Sequence, residues 1–204
     1  MTDTEHFNLE NPEIFEEPPL SKWLFARKHA AWIWLVVRLW LGYEWMKAGY
    51  SKLWGGEKQA FWNTGLGVKA YTTNAIAQHG VPHGPVVYGW WVQFLRDFVL
   101  PNYSWIAKLV GIGEFLIGIA LIVGFATGIA AVFGLALNFT YVLSGTVSTN
   151  PVFIIAGIFI VLAWRNAGYL GLDRYLLPQM GVPGKPGKLF VNDHEHESRT
   201  HHLV

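Results

Sequence analysis

Four ionisable side chains interrupt one apolar stretch of the chain, residues 32–54, and could transfer protons or bind an ionic substrate. They are Arg38, Glu44, Lys47 and Lys52. In a hydrocarbon environment each centrally placed charge costs roughly 2.5–3.5 kcal/mol. Because a simple anchor would need only apolar residues here, the charges indicate a helix that does chemistry or holds a group that does.

Helical spacing at 100° per residue separates these four charges into two groups. Arg38 and Lys52 fall on one stripe, whose other members are Gly42, Trp45 and Gly49. Glu44 and Lys47 lie three residues apart on a neighbouring face and can pair. The glycines of the stripe would let a helix or a flat ligand approach closely. A purely structural alternative places Arg38 and Lys52 toward opposite membrane faces and leaves Glu44 and Lys47 as a stabilising pair.

Another carboxylate, Glu114, lies in the middle of the apolar stretch 105–123. Small residues share its helical face: Ala107, Gly111 and Gly118. This pattern predicts that Glu114 faces another helix, and we expect its partner to be Lys47 or Arg38. The alternative is that Glu114 only holds two helices together. In the next apolar stretch Asn138 is the one strongly polar side chain, and a packing hydrogen bond is its simpler interpretation.

Composition places these residues in a polytopic membrane protein. The chain has 204 residues, of which 52% are hydrophobic and 14% charged, whereas soluble domains carry about 25% charged residues. Several of the eleven tryptophans lie near the ends of apolar stretches, as in the aromatic belts of membrane proteins. The absence of cysteine excludes disulfides, iron–sulfur clusters and thiolate zinc sites. The net charge of +1 gives no indication of a nucleic-acid partner.

The predicted fold is an all-α, four-helix transmembrane bundle, residues 31–178. The expected spans are 31–54, 105–123, 126–144 and 150–164. Residues 55–104 are too many for a plain connector, and we expect an extracytoplasmic cap with an amphipathic helix. Residues 1–30 are expected to form a cytoplasmic tail with an interfacial segment. Residues 179–204 should form a polar, disordered cytoplasmic tail, whose histidines are not expected to bind a metal.

Three segments, in this order, resemble the DoxX/DoxD family of four-span membrane proteins. They are RLWLGYEWMKAGYSKLWG, FLRDFVLPNYSWIAKLVGIGEFLIGIALIVG and GYLGLDRYLLP. The family includes DoxD, the membrane subunit of an archaeal thiosulfate:quinone oxidoreductase, which pairs with the smaller DoxA. The resemblance implies oxidation of thiosulfate, or a related sulfur anion, with membrane quinone as the electron acceptor. It also implies a prokaryotic plasma membrane, contact with lipid, and a DoxA-like subunit or a second copy of the chain as candidate partners.

The charged and aromatic residues supply candidates for both parts of such a reaction. Quinone reduction takes up two protons, so a carboxylate tuned by nearby cations is useful. The candidate catalytic residues are Arg38, Glu44, Lys47 and Glu114. A sulfur anion needs cations and a quinone ring needs aromatic partners. The candidate substrate-binding residues are Lys52, Arg96, Trp45 and Tyr43. No metal or flavin site is visible in the sequence.

Whether the chain is itself an enzyme stays open on the sequence. The absence of any redox cofactor motif favours an alternative, a non-catalytic membrane scaffold or anchor subunit of a redox or oxidative-stress complex. Such a subunit would bind its partners through residues 55–104 or through the tails. A small-solute transporter or channel has less support, because four spans without visible inverted repeats are few for that class.

Overall fold

The computed structural model describes residues 18–182, and in that range every regular element is helical. The predicted tails up to residue 17 and from residue 183, with the paired histidines, lie outside the described residues. The α-helices are α1 (Pro19–Ala26), α2 (Ala31–Leu53), α3 (Leu66–Ala77), α4 (Gly89–Phe94), α5 (Tyr103–Val123), α6 (Thr127–Leu143), α7 (Asn150–Leu162), α8 (Trp164–Ala167) and α9 (Asp173–Gln179). The remaining regular elements of the described range are a 3₁₀ turn (Lys28–Ala30) and two π-helices (Gln59–Asn63 and Leu95–Val99).

The four predicted spans coincide with α2, α5, α6 and α7 to within two residues at each end. Among the described helices, α5 alone is both long and apolar enough to cross a membrane. Helices α6 and α7 are apolar but shorter, with 17 and 13 residues. Helix α2 has 23 residues, but its four charged side chains lower its hydropathy.

Helices α2 and α5 pack with their backbones in close contact, because glycines face the partner helix. A β-carbon on Gly49 would overlap the backbone nitrogen of Phe115, and one on Gly118 would overlap the backbone nitrogen of Met46. Small residues permit this approach between apolar helices. The contact fixes the register of the pair and brings Lys52, one turn after Gly49, beside α5.

Apolar side chains fill the interior of the bundle and also cover much of its outside. The largest interior members are Trp34, Leu41, Trp45, Leu121 and Ile160. Large apolar side chains are exposed on the outer faces of α2, α5, α6 and α7, including Trp32, Val36, Leu116, Ile129, Phe133 and Ile155. A contiguous apolar surface of this kind is unusual for a soluble monomer and indicates contact with another apolar phase.

The segment between α2 and α5 folds into a cap with a small core of its own. Its buried members are Ala75, Val87, Trp91, Val92 and Leu95. The segment of the predicted amphipathic helix is helical and forms α4 and the π-helix that follows. Trp91 is buried, whereas Trp90, Phe94 and Phe98 are exposed, because this segment packs against α3 and the end of α6. The Trp91 indole donates a hydrogen bond to Ser144 Oγ (2.9 Å) and fastens the cap to α6.

Candidate functional site

A cavity of about 570 Å³ lies between the cap and helices α2, α5, α6 and α7. Ligand pockets in proteins usually measure about 300–1,000 Å³ and are mostly apolar with a few polar groups. The aromatic residues of the wall are Trp45, Phe61, Tyr71, Trp91, Phe94, Phe98, Trp105, Tyr141 and Phe153. Its charged residues are Glu44, Lys52, Glu57 and Glu114. In size and chemistry the cavity suits a flat, largely apolar molecule.

A buried ion pair connects α2 to α5 at the cavity wall. Lys52 Nζ donates to Glu114 Oε2 at 2.7 Å, and the side chains are 14% and 2% exposed respectively. Burial of such a pair is tolerated when hydrogen bonds satisfy the remaining lone pairs. The Tyr141 hydroxyl supplies one of these bonds, donating to Glu114 Oε1 at 2.5 Å. A second carboxylate, Glu57, lies 3.9 Å from Lys52.

A second tyrosine, Tyr71 of α3, joins this group to the cap. Its hydroxyl donates to the backbone carbonyl of Tyr141 (3.2 Å) and accepts from Thr146 Oγ1 (3.1 Å). The two tyrosine rings meet edge to face, with centroids 6.1 Å apart. Burial raises the pKa of Tyr71 above its ordinary value of 10.0, so this phenol stays a neutral donor throughout the physiological range.

One amide oxygen on the wall, Oδ1 of Asn138, has no hydrogen-bond partner within residues 18–182. Asn138 lies one turn before Tyr141 on α6 and is 1% exposed. Its Oδ1 accepts no hydrogen bond from any described residue. Leaving such an oxygen unpaired costs about 1–3 kcal/mol, so the sequence keeps a polar group here at the expense of stability.

A row of aromatic rings forms the part of the wall between the cap and the start of α5. Phe94 stacks on Phe98 at a centroid distance of 5.3 Å, and Phe98 meets Trp105 edge to face at 6.3 Å. All three rings line the cavity and are also exposed on the outside of the protein. This row of rings is therefore part of both the cavity wall and the outer surface of the protein.

The structure places four of the eight predicted site residues at the cavity and four elsewhere. Those on its wall are Glu44, Trp45, Lys52 and Glu114. Tyr43, Lys47 and Arg96 are exposed and do not line it, and Arg38 is buried in another part of the bundle. The four candidate catalytic residues, Arg38, Glu44, Lys47 and Glu114, therefore do not converge on one site.

The predicted ion pairs are also wrong. The partner of Glu114 is Lys52, not Lys47 or Arg38. Glu44 and Lys47 are not joined, since both ion pairs found within residues 18–182 belong to Lys52. The physical reason is the register of α2 on α5, which turns Lys47 to the outside and Lys52 toward Glu114.

Arg38 lies fourteen residues before Lys52, which corresponds to about 21 Å along a helix axis. Its guanidinium donates to the backbone carbonyl of Leu170 at 3.1 Å and attracts the nearby carboxylate of Asp173. Gly124, with φ of 72°, leaves the space that the guanidinium fills. Arg38 thus holds the segment after α8 against the α5–α6 turn.

Asp173 completes this second cluster and explains the Gly-Leu-Asp sequence near the end of the described chain. Its two carboxylate oxygens accept hydrogen bonds from the backbone amides of Ala126 (2.6 Å) and Thr127 (2.9 Å). These amides begin α6 and would otherwise lack partners. A carboxylate at a helix N-terminus also interacts favourably with the helix dipole. The cluster stabilises the fold and lies apart from the cavity.

Sequence reasoning missed Tyr141 and Tyr71 as members of the site and gave Asn138 no role in it. The spacing of three residues between Asn138 and Tyr141 places them on one face of α6, which is a signal the sequence does contain. For Tyr71 no such signal exists, because its contact with α6 joins residues 70 positions apart.

Comparison with known proteins gives one finding. The family model described as DoxX matches residues 33–146, which is more than half of the chain. The matched range contains Lys52, Tyr71, Glu114, Asn138 and Tyr141. No curated protein and no solved structure matches the chain.

Proposed function

This chain belongs to the DoxX family, whose members are associated with membranes, and we propose that it is an integral membrane oxidoreductase subunit whose cavity binds a quinone. The observation that carries the proposal is the cavity itself. It has the size of a ligand site and aromatic walls, and it holds a hydrogen-bonded Lys52–Glu114–Tyr141 group.

In this proposal α2, α5, α6 and α7 cross a prokaryotic plasma membrane, with both termini in the cytoplasm and the cap outside. Helix α5, with 21 residues, is about 31 Å long, and the hydrocarbon core of a bilayer is about 30 Å thick. The apolar outer faces of the four helices would then contact lipid. The aromatic row of Phe94, Phe98 and Trp105 would border lipid as well, and an apolar tail could pass there.

The charges of the cavity favour a neutral ligand over a sulfur anion. Among the residues that the structure describes, Lys52 is the one cation on the wall, against the three carboxylates Glu44, Glu57 and Glu114. Because Lys52 is already paired with Glu114, a dianion such as thiosulfate would meet an excess of negative charge. A quinone is neutral and presents a planar ring to the aromatic wall.

Several residues of the wall can hold a quinone. A bound quinone would supply an acceptor for two electrons and two protons. The Lys52 ammonium has three donors, of which Glu114 uses one, so another can reach a carbonyl oxygen. The hydrogen bond that the Tyr141 hydroxyl donates to Glu114 lies beside this ammonium. Trp45 and Phe153 contribute aromatic rings to the wall.

The finer part of the proposal concerns the electron donor. Two thiosulfate ions lose one electron each and join through a new S–S bond as tetrathionate, and the two electrons pass to quinone. Since the cavity disfavours an anion, we place this oxidation outside it, on a small DoxA-like partner bound to the chain.

A titration of the purified protein in detergent with a short-tailed ubiquinone analogue tests quinone binding. Trp45, Trp91 and Trp105 line the cavity, so binding should quench tryptophan fluorescence with saturation. The variant Ala48→Phe fills the cavity and should abolish the saturable component. The control Ala136→Phe places the same ring on the exposed face of α6 and should leave it unchanged.

Two results would separate the alternatives. Saturable binding that Ala48→Phe removes supports the quinone site, and thiosulfate-dependent quinone reduction with an added partner would then support the electron donor. If the native protein shows no saturable quenching, the proposal fails and the alternative of a non-catalytic scaffold subunit is favoured.

A further inference from the structure

The unpaired amide oxygen of Asn138 is a feature of the cavity that the ion pair and the tyrosines do not explain. The residue is 1% exposed, lines the cavity, and has an Oδ1 without a hydrogen-bond partner among the described residues. Native proteins leave few buried polar atoms in this state, and each such atom calls for a reason. A hydrogen bond to a bound ligand is a reason that the position on the wall supports.

Asn138 and the ion pair are separate polar positions on a cavity wall that is mostly apolar. Asn138 and Tyr141 are separated by three residues on one face of α6, which is a rise of about 4.5 Å. Tyr141 in turn contacts Glu114 and thereby Lys52. A ligand that carries an oxygen on each of two opposite edges of a flat ring can therefore use both positions.

We propose that Asn138 is a ligand-binding residue and that the cavity takes a ring with oxygen substituents on two opposite edges. One oxygen is bound by the Lys52 ammonium, which the carboxylate of Glu114 holds in place, and the other is bound by the Asn138 amide. This proposal rests on the proposed function and deepens it, because it separates para-quinones from aromatic molecules with a single oxygen.

An amide suits both redox forms of such a ring. Its Nδ2 donates to the carbonyl oxygen of a quinone, and its Oδ1 accepts from the hydroxyl of a hydroquinone. A half-turn of the amide plane exchanges the two atoms without changing the shape of the side chain. An aliphatic side chain of the same size offers neither bond.

The test combines a change of residue with a change of ligand. Tetramethyl-1,4-benzoquinone has both oxygens, and 2,3,5,6-tetramethylphenol has one. Both are titrated, by tryptophan quenching or calorimetry, into the native protein and the Asn138→Leu variant in detergent. The matched control, Asn74→Leu, makes the same replacement at an exposed position of α3 outside the cavity.

We expect Asn138→Leu to weaken quinone binding about tenfold, the effect of one lost hydrogen bond in a buried site. Phenol binding should change by less than about twofold, because the single hydroxyl is bound by the ion pair. Asn74→Leu should change neither. The thermal unfolding midpoint of ligand-free Asn138→Leu should equal or exceed that of the native protein, since the variant removes an unpaired buried oxygen.

An equal loss for both ligands, or no loss for either, would overturn the role of Asn138. If Asn138→Leu does not fold, Asn138→Ala provides the same comparison without added volume on the wall. Failure of the proposed function has a different signature, because then the native protein binds neither ligand. If the native protein binds the quinone and the variant binds it equally well, only the inference on Asn138 fails.

Discussion

The ion pair between Lys52 and Glu114 leads to a prediction about stability that can be worked out from its surroundings. Replacing Lys52 by Met leaves the Glu114 carboxylate, which is 2% exposed, with the Tyr141 hydroxyl as its remaining hydrogen-bond donor. Removing one partner of a buried pair costs about 3–5 kcal/mol. We expect Lys52→Met to lower the free energy of unfolding by that amount.

Replacing Glu114, the other member of the pair, should lower the free energy of unfolding by less. Glu114→Gln keeps the shape of the side chain and an acceptor for Tyr141, and Lys52 can turn toward Glu57, which lies 3.9 Å away and is 53% exposed. We expect a loss of about 1–3 kcal/mol. The double variant has no unpaired buried charge, so its stability should recover, with a coupling of at least about 2 kcal/mol between the sites.

Unfolding of the four proteins in mixed detergent, followed by circular dichroism, measures this cycle. Lys47→Met is the matched control, because Lys47 is an exposed lysine of the same helix, and its effect should be within about 0.5 kcal/mol. If the two single losses simply add in the double variant, the two side chains do not interact and the reasoning is refuted.

Further predictions concern the glycine contact between α2 and α5, the cluster around Asp173 and the role of Tyr141. Gly118→Ala should lower the free energy of unfolding by about 1–3 kcal/mol, because the new methyl group overlaps Met46. The control Gly113→Ala should be neutral or slightly stabilising, because a β-carbon there meets no atom. An equal effect of both variants would contradict the packing of α2 on α5. Asp173→Ala should lower the free energy of unfolding by at least about 1–2 kcal/mol, since it leaves two amides at the start of α6 without an acceptor. The same variant should leave quinone affinity unchanged, and a loss of affinity would contradict the separation of the two clusters. Tyr141→Phe should weaken quinone binding several-fold in the fluorescence titration, because it removes the hydrogen bond that positions Glu114 and thereby Lys52. Unchanged affinity would contradict this positioning role.

Helices α2, α5, α6 and α7 could be predicted from the sequence because each is formed by a predominantly apolar stretch. The predicted spans match α2, α5, α6 and α7 closely, and Glu114 does face another helix, as the small residues on its face indicated. These are local properties, set by helical periodicity within one segment.

The pairing of charges could not be predicted in the same way. Helical spacing showed that Lys47 and Lys52 lie on different faces of α2, but not which face meets α5. That choice depends on the contacts of Gly49 and Gly118 with the partner backbone, which join residues far apart in the chain. The roles of Arg38 and Tyr71 depend on long-range contacts for the same reason.

Photoaffinity labelling with an azidoquinone, in membranes that contain the native chain, tests the central claim most directly. If the cavity binds quinone, mass spectrometry should find the label on peptides with residues 45–52 and 138–141, and an excess of unmodified quinone should prevent it. Label confined to exposed positions on the outside of the bundle such as Phe133, or to the cluster around Arg38 and Asp173, would contradict a quinone site between the cap and the bundle.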